Sequence, residues 1–185
     1  MGTRPLRADA RRNRDHLVTV ATSVFAEEGP EASLNEIARR AGVGSGTLYR
    51  HFPTRQELLV AVFKDRVTTL CAKAETLAAG SPPGEALTGW LHALLAHALT
   101  DRGLGTTMMS AGPVSGFDCS ALMRSAADGL LTTARDAGAV RPDLELDDLF
   151  ELVTGLALAT GDLGRATRLL SLALDGLRNP ARSSP

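Results

Sequence analysis

The sequence is poor in the residues on which several large classes of protein depend. It contains two cysteines in 185 residues, Cys71 and Cys119, which lie far apart in unrelated surroundings. A disulfide framework needs more cysteines, and no Cys/His spacing typical of a zinc site occurs. Aromatic residues make up 4% of the chain, so leucine, alanine and valine must form the core, which favours helices over sheets.

Signals for secretion and membrane insertion are also lacking. The N-terminal segment MGTRPLRADARRNRDH is rich in arginine and has no apolar stretch of the kind found in signal peptides. The most apolar windows, such as LFELVTGLALATG, are too short to cross a bilayer and contain a glutamate. We therefore expect a soluble cytoplasmic protein with no membrane partner.

Patterns that would indicate catalysis are absent as well. The four histidines do not have the spacing of metal ligands, and no nucleophile elbow, phosphate loop or pair of catalytic carboxylates occurs. The acidic residues Glu145, Asp147 and Asp148 fit the first turn of a helix, where the helix dipole favours negative charge. We expect no enzymatic activity, no metal site and no cofactor.

The charge is unevenly distributed along the chain. The net charge is −1, yet residues 1–66 carry 11 basic and 8 acidic residues, whereas residues 67–185 carry 9 basic and 13 acidic ones. The front part is therefore net positive and the back part net negative. This asymmetry favours an anionic partner for the front part alone.

Apolar residues recur with the helical period along the whole chain, and no strand pattern or internal repeat competes with it. The sequence therefore predicts an all-α fold of about nine helices. The Gly-rich segment 103–116 is predicted to be a loop or a short irregular helix. The first helix stops before Gly29, and the others are expected at residues 34–41, 45–51, 54–79, 85–99, 118–137, 146–160 and 163–178.

Two Ser/Thr-x-x-Glu patterns predict helix starts. Ser33 with Glu36, and Thr54 with Glu57, fit the capping box, in which each side chain bonds an otherwise unpaired backbone N–H of the first turn. Gly42 ends the helix that Ser33 starts, because glycine readily adopts the left-handed conformation that closes helices.

The segment GVGSGTLYRHF, residues 42–52, places three glycines around the start of a helix. Short helices joined by a tight glycine turn are typical of a helix-turn-helix. Gly42 lets the chain reverse direction. Gly44 and Gly46 leave the next helix start free of bulk, so that its backbone can lie close to another surface, and exposed N–H groups at a helix start attract phosphate.

The same segment separates an outer from an inner helix face. Tyr49, Arg50 and His51 are consecutive and fan over about 200° of the helix. Leu48 and Phe52 are four residues apart and point together into a small core. This arrangement predicts a helix that packs on one side and presents hydrogen-bonding groups on the other.

The pattern S-x-x-E-I-A-x-x-A-G-V-x-x-G-T-L-Y-x-H-F-x-x-R-x-x-L-L, from Ser33 to Leu59, resembles the DNA-binding domain of the tetracycline-repressor (TetR) family. The match extends from about Val18 to Leu59, and the rest of the chain is similar to that family in its helical character and length. The resemblance implies an N-terminal arm and helix-turn-helix domain at residues 1–56 and a helical effector-binding and dimerisation domain at residues 57–185.

The resemblance also implies a function. The protein would be a sequence-specific DNA-binding transcriptional regulator, a homodimeric repressor that binds a palindromic operator in double-stranded DNA and is released by an unknown small-molecule effector. Two alternatives stay open. An activator would have the same sequence features, and a protein-interaction module would keep the fold without binding an operator.

By the same resemblance, a set of side chains around the turn faces DNA. Tyr49 and His51 match positions that usually contact phosphates, with core packing as the alternative for Tyr49 and a structural role as the alternative for His51. Arg50 is expected to recognise a base, because arginine pairs bidentately with guanine. Ser45 departs from the family pattern, in which a longer polar or basic group is frequent, and leaves more of the recognition to Arg50. The full set is Ser33, Ser45, Gly46, Thr47, Tyr49, Arg50, His51, Thr54 and Arg55.

Two groups near this set have alternative explanations. Ser33 and Thr54 are explained equally well as helix caps without any role in DNA binding. The arginines of the N-terminal segment either wrap DNA as a flexible arm or form a solvated tail, and the tail is preferred for Arg4 and Arg7. These arginines are Arg4, Arg7, Arg11, Arg12 and Arg14.

The last two helices are predicted to form a dimer interface. A two-fold operator requires a two-fold symmetric protein, and both helices are apolar on more than one face, as expected for helices buried on most sides. The alternative is a helix pair buried within one chain. The interface set is Leu149, Leu152, Val153, Leu156, Leu169, Leu170, Ala173 and Leu177.

The middle helices are predicted to hold the effector. Methionine is common where a surface repacks around ligands, although each candidate has core packing as its alternative role. The candidate pocket residues are Trp90, His97, Met108, Met109, Phe117 and Met123.

Overall fold

The computed structural model describes residues 4–100 and 118–177, with side chains from Asp9 onward. In these ranges the chain forms eight helices and no strand, which confirms the all-α prediction. The predicted loop or irregular helix at 103–116 lies outside the described residues. The helices are α1 (Arg4–Glu28), α2 (Leu34–Arg40), α3 (Ser45–His51), α4 (Arg55–Gly80), α5 (Pro83–Thr100), α6 (Cys119–Asp136), α7 (Leu146–Thr160) and α8 (Leu163–Leu177).

The described chain divides into two compact units. Residues up to Asp65 form the first unit, and those from Arg66 onward form the second. Helix α4 supplies core residues to both, with Leu58 in the first hydrophobic core and Leu70 in the second. The sequence-derived domains at residues 1–56 and 57–185 stay a prediction.

The first unit is a small helical core built from α1, α2, α3 and the start of α4. Leu17, Ile37, Leu48 and Leu58 are fully buried, so each of the four helices contributes a side chain to the centre. Gly42 lies between α2 and α3 with φ of 67°, the left-handed conformation that its position after α2 predicted. The glycine turn therefore sets the path from α2 into α3.

The N-terminus of α2 does not have the predicted capping box. Ser33 occupies the cap position, but its hydroxyl makes no capping hydrogen bond. Glu36 instead accepts hydrogen bonds from Arg39 and from Arg40, each through Nε at 2.8 Å. The hydrogen bonds from Arg39 and then Arg40 lower the pKa of the Glu36 carboxyl to about 2. Two arginines thus draw this carboxylate away from the backbone.

Arg40 also joins α2 to the end of α1. Its Nη1 donates to Glu27 at 2.5 Å and its Nη2 donates to Glu28 at 2.8 Å. Together with Glu36, three carboxylates surround one guanidinium, whose fork geometry suits several charge-assisted hydrogen bonds. The network links α2 to the end of α1 at the protein surface.

The N-terminal segment is helical from Arg4, which corrects the alternative of a flexible arm, and Arg11, Arg12 and Arg14 are exposed to solvent, as the other alternative expects. Arginine, leucine and alanine are good helix formers, and Pro5 falls in the first turn, where its missing N–H has no intrahelical partner to lose. Asp9 forms an ion pair with Arg12 one turn later. Helical propensity and local pairing therefore extend α1 well before its buried stripe.

The second unit packs α5 against α6, α7 and α8. Trp90, Leu131, Leu149 and Leu170 are fully buried, so that all four helices meet in one core. The start of α7 has a complete capping box, in which Glu145 caps the first turn and the Glu145 backbone N–H donates to Asp148 at 2.9 Å. The first-turn acids predicted from the sequence include a true helix cap.

Candidate DNA-binding interface

Helix α3 buries its apolar side chain and turns its polar ones outward. Leu48 is fully buried, whereas Tyr49 is 47% exposed and Arg50 is exposed. Ser45 and Gly46 are exposed, and Thr47 and His51 are half-buried. Tyr49 is therefore not a core residue, and the residues predicted from α3 to face DNA share one short helix. Their contacts with DNA stay a prediction.

The two glycines at the start of α3 are not required by the packing of the described chain. A Cβ atom added at Gly44 or at Gly46 would meet no atom within 4 Å, and neither residue has a positive φ. Gly46 lies inside a helix, where glycine destabilises by about 0.5–1 kcal/mol relative to alanine. Open space in front of these residues is what the close approach of another surface requires.

A hydrogen bond joins α2 to the first residue of α3. The Ser45 hydroxyl donates to Oδ1 of Asn35 at 3.0 Å, and both side chains are exposed. Asn35 was not among the residues singled out from the sequence, because the preceding pattern placed it within a capping box and gave it no role. Its position on the outer face of α2 becomes evident only when α2 and α3 are packed together.

An arginine of α1 lies beside the end of α3. The Arg14 guanidinium is 4.8 Å from the centroid of the Phe52 ring, a distance suited to a cation–π interaction. Phe52 is buried and Arg14 is exposed, so the ring supports the guanidinium while its N–H groups face solvent. Arg14 is thus an exposed arginine of the N-terminal segment that contacts the residue directly after α3.

Thr54 and Arg55 have local roles at the start of α4. The Thr54 hydroxyl accepts a hydrogen bond from the Glu57 N–H at 3.2 Å, as a cap does. Arg55 uses its Nη1 to donate to the carbonyls of Pro30 at 2.9 Å and Ala32 at 2.6 Å. Any contact of Arg55 with phosphate must use its other N–H groups. Ser33 is exposed, and its contact with DNA also stays a prediction.

Comparison with known proteins identifies the family. Residues 17–62 match the family model described as bacterial regulatory proteins, tetR family. Residues 82–179, more than half of the chain, match the model described as transcriptional regulator SbtR-like, C-terminal domain. The chain belongs to the TetR family of transcriptional regulators.

Solved structures and curated relatives agree with this TetR assignment. A TetR transcriptional regulator of Streptomyces coelicolor is 39% identical with a TM-score of 0.78, over 90% of this chain and 99% of that one. A TetR regulatory protein of Mycobacterium vanbaalenii is also 39% identical with a TM-score of 0.76, over 94% of this chain and 99% of that one. An HTH-type transcriptional regulator of Staphylococcus aureus strain USA300 is 43% identical over 60 residues, a match that spans 32% of each chain.

The predicted effector residues of this TetR protein differ in burial where the structure describes them, and their shared pocket stays a prediction. Trp90 is fully buried in the core of the second unit, and its Nε1 donates to the Leu70 carbonyl at 2.9 Å. The indole fills the centre of the second unit because its polar group has a backbone partner. His97 and Met123 are half-buried. The other three candidates lie outside the described residues: Met108, Met109 and Phe117.

The described part of the second unit has open grooves on its surface. A groove of about 440 Å³ runs between α4 and α6, with Cys71, Leu122 and Gly129 in its lining. A second, of about 420 Å³, includes Arg141 and Leu152 in its lining. Neither groove is lined by a predicted effector residue.

Burial, assisted by Glu75, raises the pKa of the Cys71 thiol, which keeps the thiol protonated at neutral pH.

The predicted dimer residues divide between two faces of α7 and α8. Leu149, Val153 and Leu170 are buried in the core of their own chain, which corrects their assignment to an interface. The other five are half-buried: Leu152, Leu156, Leu169, Ala173 and Leu177. Leucines occur on several faces of each helix. The helical period of the sequence therefore does not show which leucines face the core and which face outward.

Other leucines of these two helices are exposed to solvent. Leu158 is 73% exposed and Leu172 is 60% exposed, and Leu163 at the start of α8 is half exposed. Gly155 and Gly176 lie on the same helices, and a Cβ added at either would meet open space. Large apolar side chains beside small residues suit the close packing of another helix.

Two further features of the described residues concern metal binding and membrane insertion. They contain no group of three or more His, Cys, Asp or Glu side chains placed to hold a metal ion. Within the same ranges, none of the helices combines the length and the apolar character needed to span a bilayer.

Proposed function

We propose that this protein is a homodimeric repressor that binds a palindromic operator through its two α3 helices and is released by a small-molecule effector. The observation that carries the proposal is the outer face of α3. This face presents Ser45, Tyr49 and Arg50 to solvent. The space around Gly44 and Gly46 at the start of the helix is open, because a Cβ at either position would meet no atom within 4 Å. A helix of this kind fits the major groove, where its N-terminal residues contact base edges.

The roles within α3 follow from side-chain chemistry. Arg50 would recognise guanine, because its guanidinium can donate two hydrogen bonds to O6 and N7. Tyr49 and His51 would donate to phosphate oxygens and fix the register of the helix, since phosphate contacts position a protein without carrying sequence information. The first unit would therefore combine one strong base contact with several orienting ones.

The dimer would form through the exposed face of α7 and α8. Leu158 and Leu172 are the two most exposed large apolar side chains of the described residues, and we infer that they belong to one association surface. A symmetric pair of such faces would place two α3 helices on one operator. Cooperative binding of two half-sites then supplies affinity that one helix cannot provide.

Release by an effector would use the continuity of α4. This helix contributes Val62 to the first core and Ala74 to the second, so a ligand that alters the second unit acts on an element shared with the first. The effector can shift the equilibrium only by its differential affinity for the binding and non-binding conformations.

The test is fluorescence anisotropy with labelled duplexes from the DNA upstream of the protein's own gene, at two salt concentrations. We expect salt-dependent binding of a palindrome by two or more chains, whereas a scrambled duplex binds weakly. Arg50→Ala should weaken binding by about 1–3 kcal/mol per half-site and relax the base preference. Arg141→Ala removes an equal charge from the second unit and serves as the control.

The outcomes separate the proposal from its alternatives. If Arg50→Ala binds the operator as tightly as the wild type, the assignment of Arg50 is wrong. If the wild type does not distinguish any palindrome from scrambled DNA in a genome-wide selection of bound fragments, the protein-interaction alternative replaces the repressor.

A further inference from the structure

Asn35 and Ser45 form a polar pair on the surface for which we propose DNA as the partner. Ser45 is the first residue of α3, and its hydroxyl donates to Oδ1 of Asn35 on α2 at 3.0 Å. Both side chains are exposed. Gly44 and Gly46, which flank Ser45, have no side chains that would separate the pair from an approaching surface.

The hydrogen bond contributes little to holding the two helices together. Ile37 and Leu48 are fully buried between the helices of the first unit and make the apolar contact there. An exposed hydrogen bond exchanges with water and adds little to stability. The hydrogen bond instead orients the Asn35 amide. Without it, the side chain of an exposed asparagine rotates freely and its amide has no fixed direction.

The orientation determines which groups Asn35 presents. With Oδ1 directed to the Ser45 hydroxyl, Nδ2 has no hydrogen-bond partner among the described residues. Two N–H donors and the second lone pair of Oδ1 are therefore available on the outer surface. A donor beside an acceptor in one plane complements N7 and N6 of adenine, the base with which asparagine pairs bidentately in the major groove.

We propose that Asn35 is a specificity-determining residue that recognises one adenine in each half-site, and that Ser45 is the positioning residue that orients its amide. The proposal rests on the proposed insertion of α3 into the major groove. It also gives the short side chain of Ser45 a role: the residue acts through its neighbour on α2, and the longer side chain reaches the base from Asn35.

The experiment is a selection of bound sequences from a library of random duplexes, followed by sequencing, with the full-length protein and a set of variants. Asn35→Ala removes the amide. Asn35→Asp keeps an acceptor for the Ser45 hydroxyl but loses both donors. Ser45→Ala releases the amide, and Ser45→Thr restores a hydroxyl. Asn13→Asp on α1 makes the same chemical change at another exposed asparagine and is the matched control.

The expected result is confined to one position of each half-site. The wild type should prefer adenine there by about 5- to 150-fold, the range of a good bidentate pair. Asn35→Ala should lose this preference and leave the other positions unchanged. Asn35→Asp should favour cytosine, whose N4 donates to a carboxylate. Ser45→Ala should weaken the adenine preference, and Ser45→Thr should restore it.

Three outcomes would overturn the proposal. A uniform loss of affinity in Asn35→Ala, with unchanged base preferences, would make Asn35 a phosphate contact. Unchanged affinity and preferences would leave it outside the interface. Preferences that change equally in Asn13→Asp would remove the link to Asn35. If the wild type itself selects no sequence, the proposed operator binding fails instead, so the two failures are distinguishable. Circular dichroism of each variant confirms that the helices are retained.

Discussion

The exposed leucines of α7 and α8 allow the proposed dimer to be tested quantitatively. Complete burial of a leucine side chain contributes about 1.5–3 kcal/mol. Leu158 is 73% exposed and Leu172 is 60% exposed, so burying these fractions in both chains contributes about 4–8 kcal/mol per dimer. Replacing both by aspartate removes this contribution and adds four charges that must lose water. Even the lower value raises the dimer dissociation constant by about 1,000-fold.

Two control variants separate association from folding. Leu122→Asp introduces the same change on α6, where the side chain is 41% exposed but lies outside the proposed interface, and should leave the dimer intact. Leu170→Ala alters a side chain buried in the core of its own chain. It should lower the free energy of unfolding by about 2–5 kcal/mol, as large-to-small core substitutions do.

Sedimentation velocity over a range of protein concentrations measures the outcome. We expect the wild type to sediment as a dimer. The Leu158→Asp/Leu172→Asp variant should dissociate at concentrations where the wild type stays associated. Circular dichroism should show that both proteins retain their helix content. A double variant that sediments like the wild type would refute the reasoning. So would a wild type that is monomeric at every concentration, because the exposed leucines would then have no second copy to cover them.

Three more predictions concern the first unit. Gly46→Ala should raise the free energy of unfolding by up to about 1 kcal/mol, because alanine suits a helix better, yet weaken operator binding, because the added methyl group meets DNA. Arg14→Ala should weaken binding of all duplexes alike. It should also reduce the slope of the logarithm of the binding constant against the logarithm of salt concentration by about 1, the contribution of one phosphate contact. Hydrogen bonds from Arg39 and Arg40 lower the pKa of Glu36 from 4.5 to about 2, so its stabilisation should be present above pH 4.5 and be lost as the pH falls toward 2. Comparing urea unfolding of Glu36→Gln with the wild type across this range measures that loss.

Each of these predictions has an outcome that would contradict it. Operator binding by Gly46→Ala that equals the wild type would mean that the helix start does not approach DNA closely. A loss in Arg14→Ala that depends on sequence would make Arg14 a base contact. A stability difference for Glu36→Gln that persists unchanged at pH 2 would show that the carboxylate does not stabilise α2 through its ion pairs.

Local sequence signals placed the helix ends well. The expected helix at 146–160 is observed over the same residues, because Glu145 and Asp148 form its cap and Gly161 ends it with φ of 66°. Residues at such ends bond to their own neighbours in sequence, so the information is local. Gly42 is another example, since its turn depends on one residue type in one conformation.

The choice between faces of a helix could not be made from sequence in the same way. Leu149 and Leu158 lie on one helix and have the same side chain, yet one is buried and the other is largely exposed. A core and a subunit interface attract the same residues, so composition does not separate them. The pairing of Asn35 with Ser45 was missed for a related reason, because it depends on how α2 packs against α3.

Glycine gives a signal that sequence and structure provide only together. Gly46 in α3 and Gly155 in α7 both lie within helices, where glycine destabilises by about 0.5–1 kcal/mol relative to alanine. The sequence shows this disadvantage but not its reason. The structure shows that a Cβ at either position would meet no atom within 4 Å, so the packing of the described residues does not require glycine. We propose that a molecule outside the chain supplies the requirement, because the two positions fall on the two surfaces for which we propose partners: DNA at α3 and a second copy of the chain at α7.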